Sequence, residues 1–160
     1  MIIVMMGVAG SGKTTIGQLL ASKLGWPFFE GDDFHSPANV EKMAQGTPLT
    51  DEDREGWLTA IAEQIRQLES ESRSGVIACS ALKDSYRKKL SSAAKNVKFV
   101  FLRGDYDSIR ERLEARAGHY MKSTLLQSQF DILEQPENSL DIDIRNSPEK
   151  IVDTIIHTLN

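Results

Sequence analysis

Cysteine is nearly missing from this chain: of 160 residues, only Cys79 carries a thiol. A single cysteine excludes an internal disulfide, and there is no cysteine cluster of the kind that holds zinc, so a reducing compartment, the cytoplasm, is expected. Long apolar runs are missing too. Six apolar residues, Met1 to Met6, precede the first glycine, with no basic leader. That stretch is too short to span a membrane and lacks the flanks of a secretory signal. No long basic run occurs and the formal net charge is −4, which argues against a nucleic-acid partner. Repeats, low-complexity tracts and linkers are also absent. What remains is an ordinary globular composition, 40% hydrophobic and 26% charged, with a length that suits one domain over residues 1–160.

Against these absences stands one dense motif. Residues 7 to 14 read Gly7-Val8-Ala9-Gly10-Ser11-Gly12-Lys13-Thr14, with Thr15 next. An apolar run at 2–6 suits a buried strand, and Ile16, Leu19, Leu20 and Leu24 follow at helical spacing. A strand that turns into a helix through glycines aims unpaired backbone N–H groups at one point, where the helix dipole is also positive. Such a loop cradles phosphates. Lys13 is expected to reach the β- and γ-phosphates, and the Thr14 hydroxyl to hold Mg²⁺.

The rest of the chain alternates strand and helix. Further strands are expected at 27–30, 76–79, 97–102 and 140–144. Helices are expected at 38–44, 84–92, 106–116, 124–134 and from Ser147-Pro148-Glu149 to the end. Thr50 and Asp53 form a capping box before a long helix whose apolar face is Trp57, Leu58, Ile61, Ile65 and Leu68. Alternation of this kind predicts an α/β fold: a central parallel sheet of five strands with helices on both faces. Ligands in such sheets bind beyond the carboxyl ends of the strands, so the loops after residues 6, 30, 79 and 102 should carry the chemistry.

Those loops contain suitable groups. Gly31-Asp32-Asp33-Phe34-His35 follows the second strand. A carboxylate there can orient an acceptor hydroxyl and take its proton during phosphoryl transfer. Asp32, fixed by the sheet edge, is the expected base, and Asp33 the expected holder of a second hydroxyl. Arg54 lies in the first turn of a helix, where a cation opposes the dipole, which hints at an anionic partner. In Cys79-Ser80-Ala81-Leu82-Lys83, small residues such as Ser80 admit a ligand to the backbone and Lys83 can meet a carboxylate. Cys79 itself reads as a core residue. The segment from Arg110 to Lys122 is the richest in cations, and it is expected to form a lid, at about 116–125, whose arginines stabilise the transferring phosphoryl group.

Taken together, these blocks resemble the gluconate kinases (gluconokinases) among the small P-loop kinases. The matching pieces are the phosphate loop, Gly31–His35, Glu41-Lys42-Met43, Gly46 through Arg54 with Trp57-Leu58, Cys79–Lys83 with Tyr86-Arg87, Arg116–His119, and Ser128-Gln129-Phe130 through Pro136. They run in family order over nearly the whole chain. Ala117 and Tyr120 depart from the family pattern, which affects only lid detail. The resemblance implies ATP- and Mg²⁺-dependent phosphorylation of D-gluconate at its 6-hydroxyl, and it implies a homodimer. Asp32 occupies the place of an acceptor-binding carboxylate, and Arg54 that of an arginine that meets the substrate acid. Asp33, His35, Ser80, Lys83 and His119 complete the expected acceptor set. Arg112, Asn146 and Pro148 join the phosphate loop in the expected nucleotide set, and Arg116 joins Lys13 and Asp32 in catalysis. Two rivals remain. One is a related kinase for another hydroxyl acceptor, shikimate-like or nucleoside. The other is a nucleotide-dependent switch without turnover. A guanine switch needs an Asn-Lys-x-Asp motif, which this chain lacks.

Overall fold

The computed structural model describes residues 1–116 and 123–159. Its strands are β1 (Ile2–Met6), β2 (Phe28–Glu30), β3 (Gly75–Ala78), β4 (Val97–Arg103) and β5 (Leu140–Asp143). Its helices are α1 (Lys13–Leu24), α2 (Pro37–Ala44), α3 (Asp51–Ser70), α4 (Asp84–Ser91), α5 (Tyr106–Ala115), α6 (Ser123–Ile132) and α7 (Pro148–Leu159). The five strands form one sheet in the order β2-β3-β1-β4-β5, and every pairing is parallel. This is the architecture that the strand–helix alternation predicts.

β1 lies at the centre and all five of its residues are buried, because helices cover both faces. Its side chains alternate between two cores. Ile3 and Met5 join Ile16 and Leu20 of α1 and Val152 and Ile155 of α7. Ile2, Val4 and Met6 join Trp57, Ile61, Ile65 and Leu68 of α3 and Leu90 of α4. Truncating a fully buried residue such as Ile65 to alanine would cost about 2–5 kcal/mol.

The helix ends follow from local chemistry. α1 starts at Gly12 and stops at Gly25, both in the left-handed conformation that glycine adopts without a Cβ clash. The capping box of α3 is complete: Asp53 N–H donates to the Thr50 hydroxyl at 3.1 Å, and Thr50 N–H to the Asp53 carboxylate at 3.0 Å. Lys42 holds that same carboxylate at 2.9 Å. These hydrogen bonds, led by the Thr50 amide, lower the Asp53 pKa to about 2. Asp105 caps α5, accepting from Ser108 N–H at 2.8 Å.

The chain leaves β1 toward β2 on one side of the sheet, and leaves β4 toward β5 on the other. A crevice therefore opens at the carboxyl ends of these neighbours. It is there that the loop after β1 lies.

Candidate active site

The loop after β1 is glycine-dependent at its bends. Gly7, Gly10 and Gly12 all have positive φ, at 144°, 78° and 98°. A Cβ on Gly7 would come within 2.9 Å of the Leu102 carbonyl oxygen at the end of β4. The Gly7 N–H donates to the Ser80 carbonyl at 3.2 Å, tying the loop to the one after β3. Lys13 curls back, its ammonium donating to the carbonyls of Gly7 at 3.0 Å and Val8 at 2.9 Å. Burial pulls the Lys13 pKa down; Asp32, Cys79 and Glu30 oppose this, and Arg116 adds to it. The buried Ser11 hydroxyl has no hydrogen-bond partner among the described residues.

The Thr14 hydroxyl donates to the carboxylate of Glu30, the last residue of β2. The other oxygen of that carboxylate accepts the Asp32 N–H at 3.3 Å. Glu30 thus bridges the phosphate loop and the acceptor loop. The motif reading did not single it out; its signal was its position, the final strand residue at the carboxyl edge.

The acceptor loop is a single 3-10 turn, Gly31–Phe34, rather than an open loop. Asp33 lies inside that turn, so it does not begin a separate loop segment. Neither acid caps α2; the Ser36 hydroxyl does, accepting from Asn39 N–H at 3.2 Å. Asp32 and Asp33 are both exposed. Gly31 is packed so closely on the Ala78 carbonyl that no Cβ fits, and its own carbonyl accepts the Trp57 indole N–H at 2.8 Å. The His35 ring stacks on Trp57 with centroids 4.4 Å apart and planes 12° apart. Buried Asn39 sets its amide 3.4 Å from His35 Nδ1 and donates to the Asp53 carbonyl at 2.7 Å. Burial lowers the His35 pKa; Asp32 raises it and Arg54 lowers it further.

Arg54 is buried at the start of α3. Its guanidinium donates to the Leu49 carbonyl at 2.8 Å and to the Tyr86 hydroxyl at 3.3 Å. That hydroxyl donates to Asp51 at 2.5 Å, and Lys83 reaches both oxygens of Asp51 at 2.9 and 3.1 Å. Cys79 is buried, and burial pushes its thiol up to about 12, which fits a core residue and not a nucleophile.

A separate cleft of about 170 Å³ lies behind the phosphate loop. It is lined by Ser11, Gly12, Thr15, Arg112, Arg116, Asn146 and Pro148, with Ile16, Ile144 and Ile151 as its apolar surface. The structure thus brings the distant nucleotide candidates Arg112, Arg116, Asn146 and Pro148 together against the phosphate loop. Arg112 is held there by donating to the Ile144 carbonyl at 2.5 Å. His119 and most of the expected lid lie outside the described residues.

Helix α6 and the segment after it add contacts that sequence reasoning missed. The Gln129 side-chain carbonyl accepts the Ala9 N–H at 2.8 Å. Beyond the helix, buried Arg87 donates to the carbonyls of Ala81 and Glu134 at 2.7 and 2.9 Å. The segment after α6 is thereby strapped to the loop after β3.

A glycine-rich phosphate loop, an acidic loop beside it and a cleft lined by arginines, on this sheet, are the features of a P-loop kinase. Comparison with known proteins agrees and narrows the class. The family model for shikimate kinase matches residues 9–160. The thermosensitive gluconokinase of Escherichia coli K12 is 46% identical over 84% of this chain and 72% of its own length. The gluconokinase of Gluconobacter oxydans is 43% identical over 98% of this chain and 88% of its own. Among solved structures, a gluconokinase from Sinorhizobium meliloti superposes with a TM-score of 0.87 at 44% identity, covering 94% of this chain and 86% of that one. A sugar kinase from Janibacter reaches 0.94 at 42% identity, covering 99% and 93%. Shikimate kinase from Aquifex aeolicus, at 18% identity and TM-score 0.62, covers 99% of this chain and 96% of its own and shares the fold. The chain belongs to the gluconokinase family.

Proposed function

We propose that the protein transfers the γ-phosphoryl group of ATP to the 6-hydroxyl of D-gluconate, giving 6-phosphogluconate and ADP. The observation that carries this reading is the Glu30 bridge, which sets the phosphate loop and the acidic acceptor loop side by side at one sheet edge. Relatives named gluconokinase, 39–46% identical over most of the chain, support the choice of acceptor.

Each group has a task. The loop N–H groups from Gly10 to Thr15 bind phosphate oxygens, and Lys13 leaves the Gly7 and Val8 carbonyls to follow the β- and γ-phosphates. Arg112, Asn146 and Pro148 hold the base. Asp32 orients the 6-hydroxyl and accepts its proton as the phosphoryl group departs from ADP; Asp33 and His35 hold further hydroxyls. Arg54 and Lys83 face the acceptor's carboxylate, with Ser80 leaving room at the backbone. Arg116, beside the phosphate loop, stabilises charge on the transferring phosphoryl group. Because the transition state is loose, positioning and charge supply most of the rate.

The residues present fit Mg²⁺. Thr14 and Glu30 offer hard oxygen donors beside the phosphate loop, and Mg²⁺ needs only one or two protein oxygens besides phosphate and water. Bound there, the ion would neutralise charge on the β- and γ-oxygens. No helix among the described residues is long and apolar enough to cross a membrane; a cytoplasmic homodimer is the assembly proposed.

A coupled ADP-release assay across gluconate, shikimate, nucleosides and hexoses tests the reading. Gluconate should be preferred by a wide margin, and turnover that gluconate does not stimulate would overturn it.

A further inference from the structure

The candidate acceptor cation Lys83 already holds a carboxylate of the protein itself. Asp51, in the first turn of α3, places both carboxylate oxygens on the Lys83 ammonium. One of them also accepts from the Tyr86 hydroxyl at 2.5 Å, and that hydroxyl in turn accepts from Arg54 at 3.3 Å. The Arg54 and Lys83 charges each lie 5.8 Å from the centre of the Tyr86 ring. A cation and a phenol meet on one point, with Arg54 behind the phenol, and make a carboxylate-binding site that a carboxylate already fills.

The exposure of the two sides differs. Arg54 is buried, and Tyr86 is also buried, in the core that α3 covers. The Asp51 side chain is 65% exposed and that of Lys83 28% exposed. A solvent-exposed pair of this kind holds weakly and exchanges readily. Asp51 has no part in the capping box, which Thr50 and Asp53 complete between themselves. α3 therefore does not depend on where the Asp51 side chain points.

We propose that Asp51 is an internal stand-in for the acceptor's carboxylate, filling the cationic site of Lys83, Tyr86 and Arg54 until an acid acceptor displaces it. This rests on the proposed function, in which Arg54 and Lys83 receive that carboxylate. Lys13 offers a parallel: its ammonium too is held by groups of the protein, the Gly7 and Val8 carbonyls, where phosphate would hold it. The consequence is selectivity. An acceptor with its own carboxylate replaces Asp51 charge for charge, whereas a neutral polyol of the same length leaves the cations with Asp51 and gains no contact to them.

The test compares Asp51→Asn, Asp51→Ala and Glu52→Gln with wild type by gluconate KM and kcat, and by calorimetric gluconate binding. Glu52→Gln removes one negative charge from the same helical turn. Both Asp51 variants should lower the gluconate KM and dissociation constant about two- to fivefold, the range that losing an exposed competing pair implies. ATP KM and kcat should stay near wild type, and Glu52→Gln should change neither substrate's constants. If the Asp51 variants bind gluconate as wild type does or more weakly, or if Glu52→Gln strengthens it equally, the stand-in is wrong although the gluconate reading stands. Failure of both Asp51 variants to fold would also overturn it, since a stand-in is not needed for folding. A wild type without gluconate turnover overturns the proposed function, and this inference with it.

Discussion

Gln129 and Ala9, 120 residues apart, are joined by one 2.8 Å hydrogen bond from the Ala9 N–H to the Gln129 side-chain carbonyl. Ala9 is the third residue of the phosphate loop, and Gln129 lies on the helix that follows the cation-rich segment. The bond fixes a loop whose glycines otherwise leave its backbone free. Gln129→Leu keeps the bulk and removes the acceptor, leaving a partly buried N–H without its partner. The variant should raise the ATP KM several-fold with a smaller effect on the gluconate KM. Unchanged ATP kinetics would show that the loop holds its shape without α6.

Lys13→Ala should abolish most turnover while leaving the fold intact. Losing one preorganised charge at the transferring group costs about 10²–10³ in rate. A folded variant retaining more than about a tenth of wild-type turnover would remove Lys13 from the mechanism.

Asp32→Asn preserves shape and hydrogen bonding but removes the proton acceptor. Turnover should fall about 10²-fold or more with ATP affinity little changed. Asp33→Asn should do less. The two acids share one 3-10 turn, so the order is decided by the direction each side chain takes. If Asp33→Asn is the crippling change, the base assignment moves by one residue.

Much of this was legible in the sequence because local chemistry set it. β1, the glycine bends, the Thr50–Asp53 capping box and the Asp105 cap each depend on residues within a few positions of one another. The parallel sheet followed once strands and helices alternated, but its order, β2-β3-β1-β4-β5, did not. What escaped were pairings across the chain. Glu30 looked like an ordinary strand end until Thr14, sixteen residues earlier, was brought to it. Gln129 and Arg87 act on backbone groups whose positions only the folded sheet defines. Asp51 is a first-turn acid of α3, and nothing local in the sequence pointed to Lys83 and Tyr86.

Arg54→Ala should raise the gluconate KM strongly and spare ATP binding. It should also destabilise the fold by about 1–3 kcal/mol, because the Leu49 carbonyl loses the buried donor that satisfies it. Chemical denaturation and steady-state kinetics on the same preparation separate the two effects. An equal loss toward both substrates would make Arg54 structural only.

His35 gives a pH prediction with a definite sign. Its folded pKa lies below the ordinary 6.5, chiefly through burial. Above that value both states are neutral and its contribution is fully present. As pH falls from 6.5 toward the folded pKa, the unfolded chain takes the proton more readily and stability is lost. Unfolding free energy should therefore fall from about pH 6.5 downward, and less steeply in His35→Phe, which keeps a ring against Trp57. Equal slopes would mean that His35 is not held neutral. Asp53, depressed to about 2, contributes a separate loss confined to strongly acid solution.

Phosphate transfer from ATP to gluconate, across the two loops bridged by Glu30, leaves a distinctive product. The most direct measurement is the product formed from ATP, Mg²⁺ and gluconate, read by phosphorus and carbon NMR. A phosphomonoester whose phosphorus couples to carbon 6 should appear in step with ADP. ATP consumed to free phosphate with gluconate unaltered, or phosphate attached at another carbon, would contradict this transfer.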